Sequence, residues 1–217
     1  TPVPGSSKDS SVGRPTSDGT GGIVALKTGQ AFIVAASPGN PEFIRDSVSV
    51  VVTNAANAVT VSPPAPRTIT ALGSTNAFTA TVFNQNGDAI ANPDLAWSVV
   101  SGGAFVTIDP NTGVLTAVAN GSAIIRATGR APPGAIAGTA DVSVTVAQSV
   151  SASRSEITSG AASLVANGTD NTLITVQLKD ANGNNITFGG TPPSISYTLG
   201  TLSALTDVGN GAYTATL

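Results

Sequence analysis

The sequence contains no cysteine and no histidine, and these two absences remove several kinds of chemistry. Without cysteine the chain has no disulfide, no thiol nucleophile and no thiolate metal ligand. Without histidine it lacks the side chain that most often serves as a general base and as a transition-metal ligand. The acidic residues show no paired spacing, and no Gly-x-Ser-x-Gly motif follows a predicted strand. We therefore expect no enzymatic activity and no catalytic residue.

Charged residues, methionine and long apolar runs are also scarce. Only 10% of the residues are charged, and the net charge of -3 arises without clusters of Lys or Arg. The electrostatic footprint of a nucleic-acid-binding protein is therefore absent. No apolar run approaches the roughly 20 residues that span a bilayer, so we expect no membrane insertion in this segment. Because methionine is absent too, we expect a processed chain or a piece of a longer one.

Glycine and proline are plentiful, with 24 and 14 residues. Gly, Pro, Asn and Asp supply the backbone angles of tight turns, whereas β-branched residues favour a pleated surface. Between the turns lie short stretches in which apolar and polar residues alternate, such as Val142-Ser143-Val144-Thr145-Val146. This pattern predicts an all-β fold of short strands joined by turns, without long helices.

Two stretches about ninety residues apart share one plan. Residues 18–35 and 109–127 each consist of a turn, a short apolar strand, a glycine turn and a second apolar strand, and an alternating valine strand follows each. A repeat of roughly this length is one small β domain. The second copy lies within residues 56–148, which we predict to be a complete two-sheet Greek-key sandwich of about seven strands.

The remaining residues divide around this middle domain. Residues 23–55 align with the last three strands of the repeat and are predicted to be the C-terminal part of a first domain. Residues 1–22 are rich in Ser, Gly and Pro and are expected to be a linker or a ragged end, with pairing to the first domain as the alternative. Residues 149–217 follow a different register and are predicted to be a second type of domain, C-terminally incomplete. Its predicted strands are 151–157, 162–165, 172–178, 194–199 and 212–217.

Two features predict how the middle domain is built. Trp97 alternates with Leu95 and Val99, which favours a core position over an exposed carbohydrate-stacking platform. Pro63, Pro64 and Pro66 cannot donate to a strand ladder, so the first strand is predicted to lie at an edge or to break there. The short junctions at residues 53–58 and 147–151 are expected to limit bending between domains.

One stretch carries a candidate ion site. Asp180, Asn182 and Asn184 alternate as in the first half of an EF-hand loop, but the sixth position is asparagine rather than glycine and the twelfth is threonine rather than an acid. An Asx turn between two strands is the favoured interpretation. The alternative is a calcium ion bound between domains, and no other cofactor is expected. The candidate ligands of the calcium ion are Asp180, Asn182 and Asp170, with Asp207 as a further candidate.

Longer motifs occur in the last two domains. The middle domain carries Leu-Ala-Trp-Ser at 95–98, Val-Thr-Ile-Asp at 106–109 and Thr-Gly-Val-Leu-Thr-Ala at 112–117. The last domain carries Leu-Val-Ala-Asn-Gly-Thr-Asp at 164–170 and Val-Gln-Leu-Lys-Asp-Ala-Asn-Gly-Asn at 176–184. These motifs resemble the bacterial immunoglobulin-like repeats of intimin/invasin-type adhesins, and those of the last domain resemble the invasin-type repeat. The resemblance covers about residues 18–217.

The resemblance implies tandem immunoglobulin-like sandwiches that act as a non-catalytic spacer, or stalk, in an extracellular adhesin at the bacterial cell surface. The implied partners are neighbouring immunoglobulin-like domains, and a host-cell or other surface receptor would be bound by regions outside this chain. Two alternatives stay open. One is a phage tail or capsid decoration located on the virion. The other is a subunit of an extracellular filament that is completed by strand exchange.

Overall fold

The computed structural model describes residues 6–7, 11–15, 22–36, 45–130, 138–188 and 191–217. Within these ranges the chain forms eighteen β-strands and no α-helix, so the predicted all-β fold is confirmed. Within the same ranges, no helix is long and apolar enough to cross a membrane.

The first five strands form two small antiparallel sheets. Strand β4 pairs with β1 and with β5, and β2 pairs with β3. Strands β1 and β2 fall within residues 1–22 and pair with β4 and β3, the pairing given above as the alternative for that segment. The bounds are β1 Ser6–Ser7, β2 Gly13–Pro15, β3 Ile23–Ala25, β4 Gly29–Ala36 and β5 Arg45–Val52.

The middle domain is a two-sheet sandwich. One sheet has the order β10-β13-β14-β7, with β7 parallel to β14, and the other face is formed by β11-β12-β8 and the β6-β9 pair. The chain crosses between the faces after β6, at the prolines where a break was predicted. This is the strand arrangement of an immunoglobulin-like sandwich. The bounds are β6 Ala58–Ser62, β7 Arg67–Ile69, β8 Thr75–Ala77, β9 Thr79–Phe83, β10 Asp94–Ser101, β11 Val106–Ile108, β12 Val114–Ala117, β13 Gly121–Arg130 and β14 Gly138–Val146.

Inward-facing residues of both faces fill the core of this domain. Trp97 is only 4% exposed, and its ring centroid lies 6.2 Å from that of Phe78. Leu115 and Ile125 are fully buried beside them. The predicted core position of Trp97 is therefore confirmed. The alternating valines of β14 are buried as well, because side chains of successive strand residues point to opposite faces.

Strands β1–β5 repeat the pairing of β10–β14. As β4 pairs with β1 and β5, so β13 pairs with β10 and β14, and β2-β3 corresponds to β11-β12. The turns match at the level of single hydrogen bonds: Leu26 N donates to Val12 O at 2.9 Å, and Val118 N donates to Phe105 O at 2.8 Å. The sequence repeat predicted three equivalent strands, and the structure extends the equivalence to five.

A glycine opens the fourth strand of each copy for the same steric reason. Gly29 has φ +148° and Gly121 has φ +154°, angles that side-chain-bearing residues rarely adopt. A Cβ atom at Gly29 would lie 2.9 Å from the side chain of Val12, and one at Gly121 would lie 2.5 Å from the ring of Phe105. The glycine turn in the repeated sequence therefore makes room for an apolar side chain.

The described strands of the last domain form one antiparallel sheet in the order β15-β16-β18-β17. Val176, Leu178, Ile186 and Tyr213 form its buried cluster. The bounds are β15 Glu156–Ser159, β16 Leu173–Gln177, β17 Thr206–Gly209 and β18 Ala212–Thr216.

Three strand predictions in this domain were wrong. Residues 162–165 are irregular because Val165 N donates to Oδ2 of Asp170 at 3.1 Å, which binds this backbone into the following turn. Residues 194–199 form no strand, and their apolar side chains Tyr197 and Leu199 are exposed. The first strand begins at Glu156 rather than at 151, because residues 152–154 form a turn.

Candidate functional site

The turn that follows β16 is organised by its first residue, Asp180. Oδ1 of Asp180 accepts hydrogen bonds from the backbone nitrogens of Asn182 and Asn184, both at 3.0 Å. Asp180 N donates to Asn184 O at 2.8 Å, and Gly183 supplies the positive φ of 86° that the turn requires. The structure therefore contains the Asx turn that was the favoured interpretation of this stretch.

The other carboxylate oxygen of Asp180 binds the middle domain. Oδ2 accepts a hydrogen bond from Leu72 N at 2.9 Å and one from Gln148 Nε2 at 2.9 Å. Leu72 lies in the loop between β7 and β8, and its carbonyl oxygen accepts from Nδ2 of Asn182 at 2.8 Å and of Asn184 at 2.9 Å. The backbone of Leu72 thus donates a hydrogen bond to the turn of the last domain and also accepts hydrogen bonds from it.

Gln148, two residues beyond β14, connects the remaining groups. Its Oε1 accepts hydrogen bonds from Asn120 Nδ2 at 2.8 Å and from Thr187 Oγ1 at 3.0 Å. Its Nε2 donates to Asn185 O at 3.1 Å, in addition to Asp180. We call this contact the joint. It comprises Leu72, Asn120 and Gln148 of the middle domain and residues 180–187 of the last domain.

The joint holds a buried negative charge. Asp180 is 0% exposed and Gln148 is 4% exposed. Burial raises the pKa of Asp180, but hydrogen bonds from Gln148, Leu72 and Asn184 together outweigh burial and hold this pKa below its ordinary value. Asp180 is therefore ionised at neutral pH. Among the described residues, no buried side-chain nitrogen or oxygen lacks a hydrogen-bond partner, as a stable polar contact requires.

The calcium candidates belong to different turns. Asp170 belongs to a separate exposed turn, where Asn167 Nδ2 donates to it at 2.7 Å, and this hydrogen bond is the main cause of its lowered pKa. Asp207 accepts from the backbone of Gly209 within its own turn. In the described part of the chain, no three His, Cys, Asp or Glu side chains are grouped to hold a metal ion. Calcium binding stays a prediction.

Sequence reasoning identified Asp180 but missed its partners in the middle domain. One signal was available for Gln148, because it occupies the next inward position after Val142, Val144 and Val146, where a polar residue breaks the apolar alternation. Leu72 gave no such signal, since its backbone rather than its side chain makes these contacts.

Comparison with known families adds a match in the last domain. The family model described as invasin, domain 3, matches residues 151–217, which is less than half of the chain. No curated protein matches the sequence at a significant level.

Several solved structures are similar in fold. The crystal structure of invasin, a bacterial integrin-binding protein, is 22% identical over 91% of this chain and 42% of its own length, with a TM-score of 0.42. The adhesin FdeC from Escherichia coli is 21% identical over 100% of this chain and 76% of its own, with a TM-score of 0.41. Mouse cadherin-23 repeats 22–24 are 15% identical over 98% of this chain and 75% of their own, also with a TM-score of 0.41.

These TM-scores are low, so the structural similarities identify neither a ligand nor a partner. The chain also spans less than half of the invasin structure. The family match is more specific, because it coincides with the domain whose motifs resembled the invasin-type repeat. The prediction of an intimin/invasin-type immunoglobulin-like repeat is therefore confirmed for residues 151–217, which are similar to domain 3 of invasin.

Proposed function

We propose that this chain is a non-catalytic spacer region of an extracellular adhesin at the bacterial cell surface, and that it holds successive domains in a fixed orientation. The observation that carries the proposal is the joint, in which the buried carboxylate of Asp180 binds Leu72 N and Gln148 Nε2 of the neighbouring domain. The family match at residues 151–217 supports the assignment to an adhesin.

Bending at this joint has a definite free-energy cost. Tilting the last domain would separate Asp180 Oδ2 from Leu72 N and from Gln148 Nε2. A buried donor or acceptor left without a partner costs about 1–3 kcal/mol, and more when the group is charged. The joint therefore favours one orientation of the two domains over bent ones, which is the property that a spacer needs.

The non-catalytic part of the proposal rests on the chemistry of the side chains. The sequence has neither Cys nor His, and the described acidic residues form no cluster of three. The carboxylate of Asp180 is fully buried and satisfied by N–H donors, so it is placed to stabilise structure rather than to meet a substrate. Receptor binding is assigned to parts of the adhesin outside this chain. Neither the joint nor the family match favours the virion or the filament alternative.

Small-angle X-ray scattering of the whole chain tests the proposal. We expect the unmodified chain to fit one fixed arrangement of residues 58–217, and D180A to require a broader ensemble. D141A is the matched control, because Asp141 pairs with Arg126 on the exposed surface of the middle domain, away from the joint. If D180A lowers the circular dichroism signal of folded sheet, Q148A replaces it, since that change leaves the Asx turn intact. If D180A, or Q148A in its place, gives the same ensemble as the unmodified chain, the spacer is contradicted.

The proposed location is tested on intact cells that produce the natural protein. An antibody raised against this chain should label cells without permeabilisation. Labelling that appears only after permeabilisation would contradict a surface location.

A further inference from the structure

The middle domain contains a second turn built like the one at Asp180. Oδ1 of Asn84 accepts hydrogen bonds from the backbone nitrogens of Asn86 and Asp88, both at 2.9 Å. Asn84 N donates to Asp88 O at 2.9 Å, and Gly87 carries the positive φ. In both turns an Asx residue at the first position accepts from the third and fifth residues, and glycine occupies the fourth.

The partner of this turn is equivalent as well. Asn54 lies two residues beyond β5, as Gln148 lies two residues beyond β14, and β5 and β14 are equivalent strands of the repeat. Asn84 Nδ2 donates to Asn54 Oδ1 at 3.3 Å. The same two positions therefore bind each other at both junctions, 53–58 and 147–151.

The two pairs differ in charge, in the length of their hydrogen bond and in burial. The Asn54–Asn84 pair is neutral, its hydrogen bond is longer than the 2.9 Å of the Gln148–Asp180 pair, and both of its residues are partly exposed. A cavity of about 360 Å³ opens beside it, lined by the turn residues and by Lys27. Hydrogen bonds to an ionised group are roughly twice as strong as neutral ones, and water competes more effectively at an open site.

We infer that the residue two positions beyond the last strand of one domain and the first residue of the Asx turn of the next form a domain recognition pair, used twice in this chain. The Gln148–Asp180 form makes the second junction stiff, and the Asn54–Asn84 form makes the first junction the point at which the chain bends. The partner recognised by the end of a domain is an Asx-Gly turn, which begins with Asp180 in the stiff form and with Asn84 in the flexible form. This inference rests on the proposed spacer function and adds that the spacer is stiffer at the second junction than at the first.

Distance measurements between pairs of spin labels test the inference on the whole chain. Because the sequence has no cysteine, label sites can be introduced at exposed positions without removing native thiols. Val48 and Thr107 report on the first junction, and Thr107 and Val208 report on the second; all three are exposed. We expect the first distance distribution to be the broader of the two in the unmodified chain.

Exchanging the pairs gives the decisive comparison. N54Q/N84D places the second pair at the first junction and should narrow the Val48–Thr107 distribution; Asp180 shows that a carboxylate serves this turn. Q148N/D180N should broaden the Thr107–Val208 distribution. N86D is the matched control, since it adds the same charge to the same turn but not at its first position, and it should leave the Val48–Thr107 distribution unchanged.

The outcomes distinguish a failure of this inference from a failure of the proposed spacer function. A broad Thr107–Val208 distribution in the unmodified chain would contradict the rigid spacer itself. A second result would overturn only the recognition pair. In it, the Thr107–Val208 distribution of the unmodified chain is narrow, but N54Q/N84D and N86D change the Val48–Thr107 distribution equally or not at all. Circular dichroism spectra equal to that of the unmodified chain show that each variant is folded.

Discussion

Nε2 of Gln148 lies 2.9 Å from Oδ2 of Asp180, and the two residues belong to different domains. Each is buried, and each side chain also binds within its own domain: Gln148 Oε1 accepts from Asn120 Nδ2 at 2.8 Å, and Asp180 organises the following turn. Because both side chains are also held by hydrogen bonds within their own domains, the pair constrains the orientation of the domains as well as their contact.

Removing the carboxylate should loosen the joint locally. In D180A the amide of Leu72 and the side-chain amide of Gln148 lose their acceptor, which should cost about 2–4 kcal/mol of the free energy of unfolding of the last domain. Hydrogen exchange measures this directly, because the Leu72 amide should exchange faster in D180A. D141A is the control and should leave that amide unchanged, since an exposed ion pair contributes little. If the Leu72 amide exchanged at the same rate in D180A as in the unmodified chain, the importance of the joint would be contradicted.

The joint should weaken in acid. The folded pKa of Asp180 lies below its unfolded value, so its contribution is fully present above the unfolded value of about 3.9 and is lost as the pH falls through the folded pKa. Protonation removes the negative charge to which these N–H groups donate. We therefore expect the difference in unfolding free energy between the unmodified chain and D180N to shrink as the pH falls from about 5 to about 2. A difference that does not change with pH would show that the charge is immaterial.

Calcium should leave the thermal midpoint unchanged. Both carboxylate oxygens of Asp180 already accept hydrogen bonds from N–H groups, so a cation would have to displace these donors. A melt followed by circular dichroism, with and without a calcium chelator, measures the effect. A lower midpoint in the chelator that is absent in D180N would establish the calcium site predicted as the alternative from the sequence.

Gly113 should tolerate no side chain. Its φ is +70°, and a Cβ atom would lie 2.5 Å from Phe78 O and 2.8 Å from the ring of Trp97. G113A should therefore lose about 2–5 kcal/mol in a denaturant titration, from overpacking and the left-handed backbone together. G87A separates the two causes, because Gly87 has φ +84° but nothing within 4 Å of its Cβ position, and it should lose only about 1–2 kcal/mol. Equal losses would show that the Trp97 contact does not matter.

The fold class and the middle domain could be predicted because their signals are local. The alternation in β14 and around Trp97 places every second side chain in the core, and this depends only on the geometry of an extended strand. The break at Pro63–Pro66 is equally local, since proline lacks the N–H that a ladder needs. The repeat indicated equivalent strands at residues 23–52 because both copies carry the same turn and valine pattern.

The errors arose where the structure of a stretch depends on residues outside that stretch. Residues 162–165 have the composition of a strand, but the turn that ends at Asp170 binds their backbone instead. β1 and β2 are too short and polar to show a period, and their pairing with β4 and β3 becomes visible only once those strands are placed. Propensity cannot decide such cases, because strand formation depends on a partner.

The sequence by itself determined that this protein is all-β and that it repeats one plan of short strands and turns, and it favoured an Asx turn at residues 180–184. Each of these follows from side-chain alternation or from the backbone preferences of Gly, Pro, Asn and Asp. Only the tertiary structure decided that the carboxylate of Asp180 faces Leu72, which lies 108 residues away in the sequence, and Gln148, which lies 32 residues away. Such a contact depends on how two folded domains meet, and no local pattern encodes that geometry.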